Sequence, residues 1–491
     1  MVVIRNRISA LRAGGPRQYS QMSDRIAIKV RERDRDTVFD RLDEVGLEVS
    51  ELGRTDWDYA EPRDAIERVS DRIGEFDLQD NIVTDEFGEL EQDIIDVASP
   101  AIGAAQTVAQ YVITITGVLN ASFMHTYADF GPENLRLSPV EMGDISMGRA
   151  RDTNRNVEDV NESVNIEEAW EETRGENAIV AVFDTAYAEG IVSEDRVVGT
   201  WHGEDVDSVY EPSEGHGTMC AGAAVANYND NGNVPYNGTA PDADVILVRI
   251  TDDQGQIRQD YILDAWDWIA DFSTDKPIVS NHSYGTPLCS GRPRQRHCEG
   301  PDIDMIKEVG ADKFHTPVYA AGNEADRCGR RPIGATNAIT GTNSISEVIT
   351  VGALRFDMRD AQRYTSHGRG DCAPVADPKP NVSFMLPHKT YYSDEDGIKI
   401  KDMSQGVGGS AGGTSHAAPS VSGIIALMQS KAMDEYGEPL QTEEVKSILH
   451  EVSEPPRPTQ INALPGFTAP AGWDARFGYG QPDPVEALKE V

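Results

Sequence analysis

Four side chains suited to nucleophilic catalysis stand at the ends of predicted buried elements. Asp184 ends the apolar run "AIVAVFD", and Asn323 ends "PVYAAGN". His216 and Ser415 each precede a helix-like run of small residues. Acyl transfer by a serine needs a base for the hydroxyl proton, a carboxylate that orients this base, and donors for the oxyanion. The four residues supply these parts, and Asp, His, Ser is one of the chain orders in which such triads occur.

The stretch "GGTSHAAPSVSGIIALMQ" around Ser415 predicts a buried helix. Apolar residues recur along it at helical spacing, namely Ala417, Val421, Ile424, Ile425 and Met428. Pro419 lacks the N–H that would bond the carbonyl of Ser415, which places Ser415 in the first turn or at the cap. Ser415 is therefore either a helix cap without further function or a nucleophile beside backbone donors that stabilise negative charge.

His216 leaves a similar alternative open. It lies between two glycines at the start of "EGHGTMCAGAAVA", so it is either a satisfied polar group at a helix start or a catalytic base. A second histidine, His416, follows Ser415 directly and would point away from the hydroxyl of its neighbour. It places a second titratable group beside the site and leaves the pH profile open.

Alternating apolar runs and helical patterns after residue 178 predict an α/β fold. The runs have the continuous hydrophobicity of strands covered on both faces, and they span 178–184, 244–250, 277–283, 317–323 and 348–354. Residues 259–272 have the apolar spacing of a helix. We expect a doubly wound, mostly parallel sheet with helices on both faces, and a functional site beyond the carboxyl ends of its strands.

The chain before this region predicts a different organisation. Residues 1–23 are expected to form a disordered extension, and 24–146 a small α+β domain. In that domain we expect strands at 24–32 and 47–53 and helices at 34–46 and 62–76. A polar linker and possible processing region follows at 147–165, and the main α/β domain occupies 166–491.

The composition excludes several classes of function. A formal net charge of −39 would repel nucleic acid and anionic membranes, and no stretch is apolar enough for a membrane span. Such a surface is typical of a protein that works in concentrated salt, and an ordinary acidic cytosolic protein is the alternative. Since no secretory signal is visible, we expect a cytoplasmic or, in a virus, virion-associated protein, with secretion by an unrecognised route as the alternative.

The chain has five cysteines, whose pairing the sequence leaves open. Cys289 and Cys298 bracket a basic loop, so their spacing permits a disulfide, and His297 permits weak metal binding. Because the paired spacings of a zinc module are missing, we expect no metal there.

At the level of motifs the sequence resembles the subtilisin-like serine proteases. The resemblance is carried in family order by "AVFDTA", "GHGTMCAG", "NHSYG", "AAGNE" and "GGTSHAAPSVSG", and it extends over roughly residues 160–488. It implies a serine endopeptidase that acts on proteins or peptides without a required cofactor. Structural calcium is frequent in the family, but no compact loop of oxygen ligands is readable here.

The resemblance also implies roles for particular residues. Asp184, His216 and Ser415 would form the catalytic triad, and Asn323 with the backbone N–H of Ser415 the oxyanion hole. The implied substrate-binding residues are Ser283, Tyr284, Gly285, Ala321 and Gly322. The N-terminal domain would be a propeptide that occupies the cleft as an intramolecular inhibitor and is removed by the enzyme itself; a domain retained in the mature protein is the alternative.

The sequence departs from the family pattern at several places. Ala186 stands where a glycine is usual and adds a methyl group where the backbone turns. His416 replaces the common methionine, and residues 286–304 and 384–407 are predicted insertions. Cys220 matches a cysteine of a subset of the family, where such thiols are usually structural.

Overall fold

The structure is a computed structural model that describes two separate parts of the chain. The first part is three strands within residues 26–62. The second is residues 157–491 except for 212–214, 232–233, 286–297, 299, 313, 324, 326–338, 356–359, 375, 388, 395–396, 403–412 and 457–469.

The N-terminal part is an antiparallel sheet of β1 (Ile26–Lys29), β2 (Leu47–Glu51) and β3 (Trp57–Pro62). β3 is its central strand and pairs with both others. β1 and β2 lie within the two strands expected from the sequence, whereas β3 was not predicted. The expected extension at 1–23 and the helix at 34–46 lie outside the described residues. So does the helix at 62–76, except for Pro62, which ends β3.

A seven-stranded sheet forms the centre of the second part. Its strands are β4 (Ile179–Asp184), β5 (Val197–His202), β6 (Asp244–Arg249), β7 (Ile278–His282), β8 (His315–Ala320), β9 (Ile349–Leu354) and β10 (Val382–Met385). All six pairings are parallel, in the order β10-β9-β8-β7-β4-β6-β5. The predicted α/β fold is confirmed. The strand order reverses beside β4, so the carboxyl ends of β4 and β7 flank the crevice where such sheets bind ligands.

Helices alternate with these strands and follow them. They are α1 (Val157–Ser163), α2 (Ile166–Ala169), α3 (Gly215–Val225), α4 (Tyr228–Asn231), α5 (Gln259–Ala270), α6 (Pro301–Gly310), α7 (Thr414–Tyr436), α8 (Thr442–Val452) and α9 (Pro484–Lys489). α1 lies inside the expected linker, of which residues 147–156 are not described. Within the expected linker, Val160 of α1 and the following Val164 are buried in the hydrophobic core.

Helix α7 is the central buried helix predicted from the sequence. It is in contact with β7, β8 and β9 on the sheet and with α3. Its apolar positions, Ala417, Val421, Ile424, Ile425 and Met428, are all fully buried. No helix among the described residues is long and apolar enough to cross a membrane.

The second predicted insertion forms a hairpin of β11 (Lys389–Asp394) and β12 (Gly397–Asp402). β11 packs against α3, and the hydroxyl groups of Thr218 and Ser393 form a hydrogen bond of 3.0 Å between the two elements. The insertion therefore contributes to the surroundings of the helix that carries His216.

Cys298 forms a disulfide with Cys372, with their Cα atoms 5.2 Å apart. The pairing of Cys298 with Cys289 that the short spacing permits is therefore wrong. The fold brings the segment before β10 next to Cys298. Cys289, His297 and Cys328 lie outside the described residues, so the metal binding suggested for His297 stays without a structural description.

Candidate active site

Asp184 and His216 form a hydrogen-bonded pair in which Asp184 is fully buried and His216 is partly buried. Asp184 is the last residue of β4 and is fully buried, while His216 is the second residue of α3. His216 Nδ1 lies 2.7 Å from Asp184 Oδ1, and the same oxygen accepts the backbone N–H of Thr185 at 2.7 Å. The Asp184 carboxylate can therefore orient the imidazole and favour the tautomer that leaves Nε2 as a proton acceptor.

Ser415 is the second residue of α7, in its first turn. The helix cap is Gly413, at φ 61°, and the cap makes no side-chain hydrogen bond. The interpretation of Ser415 as the cap is wrong, because this backbone conformation suits glycine and moves the helix start two residues earlier. At this position Ser415 is among the residues whose backbone N–H groups stand at the start of the helix, where they favour negative charge.

The carbonyl of Ser415 is held by two side chains from other elements. Pro419 is inside α7 and has no N–H to donate to this carbonyl. Cys220 Sγ and Ser283 Oγ donate to it instead, at 3.2 and 3.0 Å. The Ser415 hydroxyl donates to the carbonyl of Ser283 at 3.2 Å. These bonds join α7 to α3 and to the segment after β7, and so fix the serine where the three elements meet.

Asn323 follows β8 with the orientation that an oxyanion donor needs. Its Oδ1 accepts both the backbone N–H and the hydroxyl of Thr414, each at 3.0 Å. Because a backbone N–H can only donate, the atom that faces Thr414 must be the oxygen. The amide nitrogen of Asn323 is thereby turned to the other side, where it can donate.

Cys220 is a buried free thiol beside the pair. Its Sγ lies 3.8 Å from His216 Nδ1. Burial, together with the nearby Asp184 carboxylate, raises the pKa of the Cys220 thiol well above its usual value. The thiol therefore stays protonated and donates to the Ser415 carbonyl, a positioning role rather than that of a competing nucleophile.

The five expected substrate-binding residues fall in two segments, which follow β7 and β8. The Tyr284 side chain does not point into a cleft, since its hydroxyl bonds the buried His282 Nδ1 at 2.9 Å. The backbone carbonyl of Ser283 contacts the Ser415 hydroxyl, and Tyr284 and Gly285 follow it in the chain. Backbone groups of Ala321 and Gly322 form hydrogen bonds within the protein. The N–H of Ala321 donates to the carbonyl of Val351. The N–H of Gly322 donates to the hydroxyl of Thr414, and its carbonyl accepts the N–H of Ser366.

The structure shows the surroundings of two residues that depart from the family pattern, Ala186 and His416. Ala186 is fully buried and does not adopt a positive φ, so its methyl group brings no left-handed strain. His416 is 1% exposed, and neither ring nitrogen has a hydrogen-bond partner among the described residues. Burial lowers the pKa of His416 to about 4. It is therefore neutral near pH 7 and does not add a second ionisation there.

One group of side chains among the described residues could hold a metal ion. It consists of Asp184, His216 and Cys220, whose ligand atoms lie within 4.8 Å of one another. A nitrogen, a sulfur and a single carboxylate do not fit calcium, which binds six to eight oxygen atoms. This group of side chains therefore does not form a calcium site.

The sequence did not single out Asn343, which lies close to the two expected substrate-binding segments. Its amide nitrogen donates to the carbonyls of Tyr284 and Ala320, at 2.9 and 2.7 Å. The only signal was a polar "TGTNS" before a predicted strand, and such a signal is typical of loops.

A buried aspartate–histidine pair beside a serine at a helix start is the arrangement of serine hydrolases that use an activated hydroxyl. The sequence profile described as "Subtilase family" matches residues 117–480. The chain therefore belongs to the subtilase family, and it is a subtilisin-like serine endopeptidase.

Individual relatives are distant but match over much of their length. The "Intracellular serine protease" of Paenibacillus polymyxa is 28% identical over 54% of this chain and 70% of its own. Thermitase of Thermoactinomyces vulgaris is 26% identical over 54% and 79%. The "Major intracellular serine protease" of Bacillus subtilis (strain 168) is 27% identical over 60% and 84%.

Proposed function

We propose that Ser415 is the nucleophile of this endopeptidase and that His216 and Asp184 activate it. His216 Nε2 takes the hydroxyl proton as Ser415 Oγ bonds the scissile carbonyl carbon, and then gives it to the leaving amine. Asp184 holds the imidazole and stabilises its charged form. The observation that carries the proposal is the 2.7 Å hydrogen bond between Asp184 and His216 inside a buried site.

Asn323 and the N–H of Ser415 would stabilise the oxyanion of the tetrahedral intermediate. Thr414 fixes the Asn323 amide through two hydrogen bonds before substrate arrives, so little reorganisation is needed. Hydrolysis of the acyl-enzyme would then repeat the same proton transfers with water in place of the amine.

Labelling with a fluorophosphonate probe in concentrated salt tests the nucleophile. The wild type should be labelled and should degrade a denatured protein, and Ser415→Ala should do neither. Ser422→Ala is a matched control, because Ser422 is another buried serine of α7 and lies two helical turns away. Equal labelling of the wild type and Ser415→Ala, or no labelling of either, would refute the assignment.

We further propose that the N-terminal domain is a propeptide that inhibits the enzyme and is removed by it. The buried Val160 makes cleavage inside α1 unfavourable, so the cut should fall within 147–156. N-terminal sequencing of active protein should find a new terminus there, while Ser415→Ala should remain uncut. An active enzyme that retains residue 24 would favour a permanent domain.

For the cellular location, we propose an oxidising compartment and so favour secretion over the cytoplasm. The support is the Cys298–Cys372 disulfide, since such bonds are rare in cytosolic proteins. Two relatives are named intracellular, which points the other way. Mass spectrometry of protein purified without reductant decides: loss of two hydrogens at this cysteine pair supports the proposal, and free thiols refute it.

A further inference from the structure

Asn343 closes the space between the chain segments that follow β7 and β8. It lies in a 3₁₀ turn, Gly341–Ser344, and is 4% exposed. Both amide hydrogens are used, because Nδ2 donates to the carbonyls of Tyr284 and Ala320. Oδ1 accepts the hydroxyl of Thr342 at 3.1 Å. The side chain therefore forms a fixed bridge between the two segments.

This bridge lies where the substrate side chain next to the scissile bond must enter. The Ser415 hydroxyl touches the carbonyl of Ser283, so Tyr284 and Gly285 continue away from the attacking oxygen on one side. The segment from Ala320 to Asn323 lies on the other side and brings the oxyanion donor. A residue whose carbonyl is attacked by Ser415 therefore sits between both segments, with its side chain directed into the gap that Asn343 spans.

Gly285 shows how little room is left in this gap. A Cβ atom added to Gly285 would lie 2.5 Å from Nδ2 and 2.8 Å from Oδ1 of Asn343. The amide is thus packed directly against the Gly285 backbone. The residues that Asn343 touches here, Tyr284, Gly285 and Ala320, carry no charge that could pair with a charged substrate side chain.

The turn that carries Asn343 is held by one internal hydrogen bond and by contacts from two neighbouring segments, so moving the side chain aside would break several bonds. The hydroxyl of Thr350 donates to the Asn343 carbonyl at 2.7 Å. Ser344 Oγ donates to Gly341 O at 2.8 Å and accepts the N–H of Cys372 at 3.1 Å. Cys372 is itself fixed by its disulfide to Cys298.

We propose that Asn343 is a specificity-determining residue that makes the pocket on the amino side of the scissile bond shallow. The preferred substrates carry a small uncharged residue there, such as glycine, alanine or serine, and large aromatic, aliphatic or charged residues are disfavoured. The inference rests on the proposed role of Ser415, because that role places the scissile bond.

Two peptide substrates that differ only in this residue, alanine or phenylalanine, test the proposal. The wild type should have a kcat/KM for the alanine peptide at least about tenfold above that for phenylalanine, since pocket size discriminates by about 10- to 200-fold. Asn343→Gly removes the bridge and opens the gap, so the alanine-to-phenylalanine ratio should fall at least about tenfold. Thr342→Val is the control: it removes the hydroxyl bond to Oδ1 but leaves the Asn343 amide in place, and should keep the wild-type ratio.

A digest of a denatured protein by the wild type gives a readout that does not depend on the variant folding. Mass spectrometry of the products should show small uncharged residues at most cleavage sites. A majority of large or charged residues, or an Asn343→Gly ratio equal to that of the wild type, would overturn the inference while Ser415-dependent cleavage persists. Loss of that dependence would instead overturn the proposed function and this inference with it.

Discussion

The substitution His416→Met tests whether the buried histidine next to the proposed nucleophile is neutral near pH 7. Burial lowers the pKa of His416 to about 4, whereas in the unfolded chain it is about 6.5. The folded state thus binds the proton more weakly, so protonation favours unfolding. The contribution of His416 to stability is unaffected well above pH 6.5 and falls progressively between pH 6.5 and 4. At about 1.4 kcal/mol per pKa unit, the loss amounts to about 3 kcal/mol once the pH is below 4.

The experiment compares Ser415→Ala with the double variant Ser415→Ala, His416→Met, because the inactive background prevents autolysis. Urea unfolding at constant high salt gives the free energy of unfolding of each at pH 7.5, 6, 5 and 4. Groups common to both proteins cancel in the difference. The methionine variant should be about 1–3 kcal/mol more stable at pH 7.5, because two buried nitrogens without partners are removed. Its advantage should grow by about 3 kcal/mol toward pH 4; an advantage that does not change with pH would refute the reasoning.

Three further predictions concern other groups of the structure. Asn323→Ala should lower kcat by about 10²–10³ and leave KM nearly unchanged in peptide hydrolysis, because it removes an oxyanion donor; a change in KM alone would contradict this role. Asp377→Asn should lower the free energy of unfolding in urea by about 3–5 kcal/mol, because the fully buried Lys379 Nζ would lose the carboxylate that lies 3.1 Å away, whereas Lys446 keeps Glu443 at 2.8 Å; a loss below about 1 kcal/mol would contradict this. Cys220 should resist iodoacetamide in the folded protein and react in urea, as judged by mass, because the thiol is buried and its pKa is raised; complete labelling of the folded protein would contradict it.

The sequence predicted five of the seven strands of the central sheet, because their residues are apolar on both faces, whereas β5 and β10 were not predicted. β4, β6 and β9 lie within one residue of the expected bounds at either end. The run expected at 317–323 ends as a strand at Ala320, since the polar end of the run leaves the sheet to form the site. The apolar pattern indicates which residues are buried. In these runs the buried residues form strands up to the point where the polar residues of the candidate site begin.

Contacts between residues far apart in sequence could not be predicted in this way. The Cys298–Cys372 disulfide joins residues 74 positions apart, and the Asn343 amide bonds Tyr284, 59 positions away. In neither case does the pattern of apolar residues indicate which distant segment is contacted. The aspartate, histidine and serine of the site could be proposed only because their chemistry restricts which residue types work together.

Pro419 shows how a local rule and a distant contact combine in this site. From the sequence, its missing N–H already implied a Ser415 carbonyl without the usual helical partner. A buried carbonyl cannot remain without donors at low cost, so other elements must supply them. In the structure Cys220 and Ser283 do so; Cys220 belongs to the helix that carries the proposed base, and Ser283 to an expected substrate-binding segment. One proline therefore makes the position of the proposed nucleophile depend on the same contacts that position its partners.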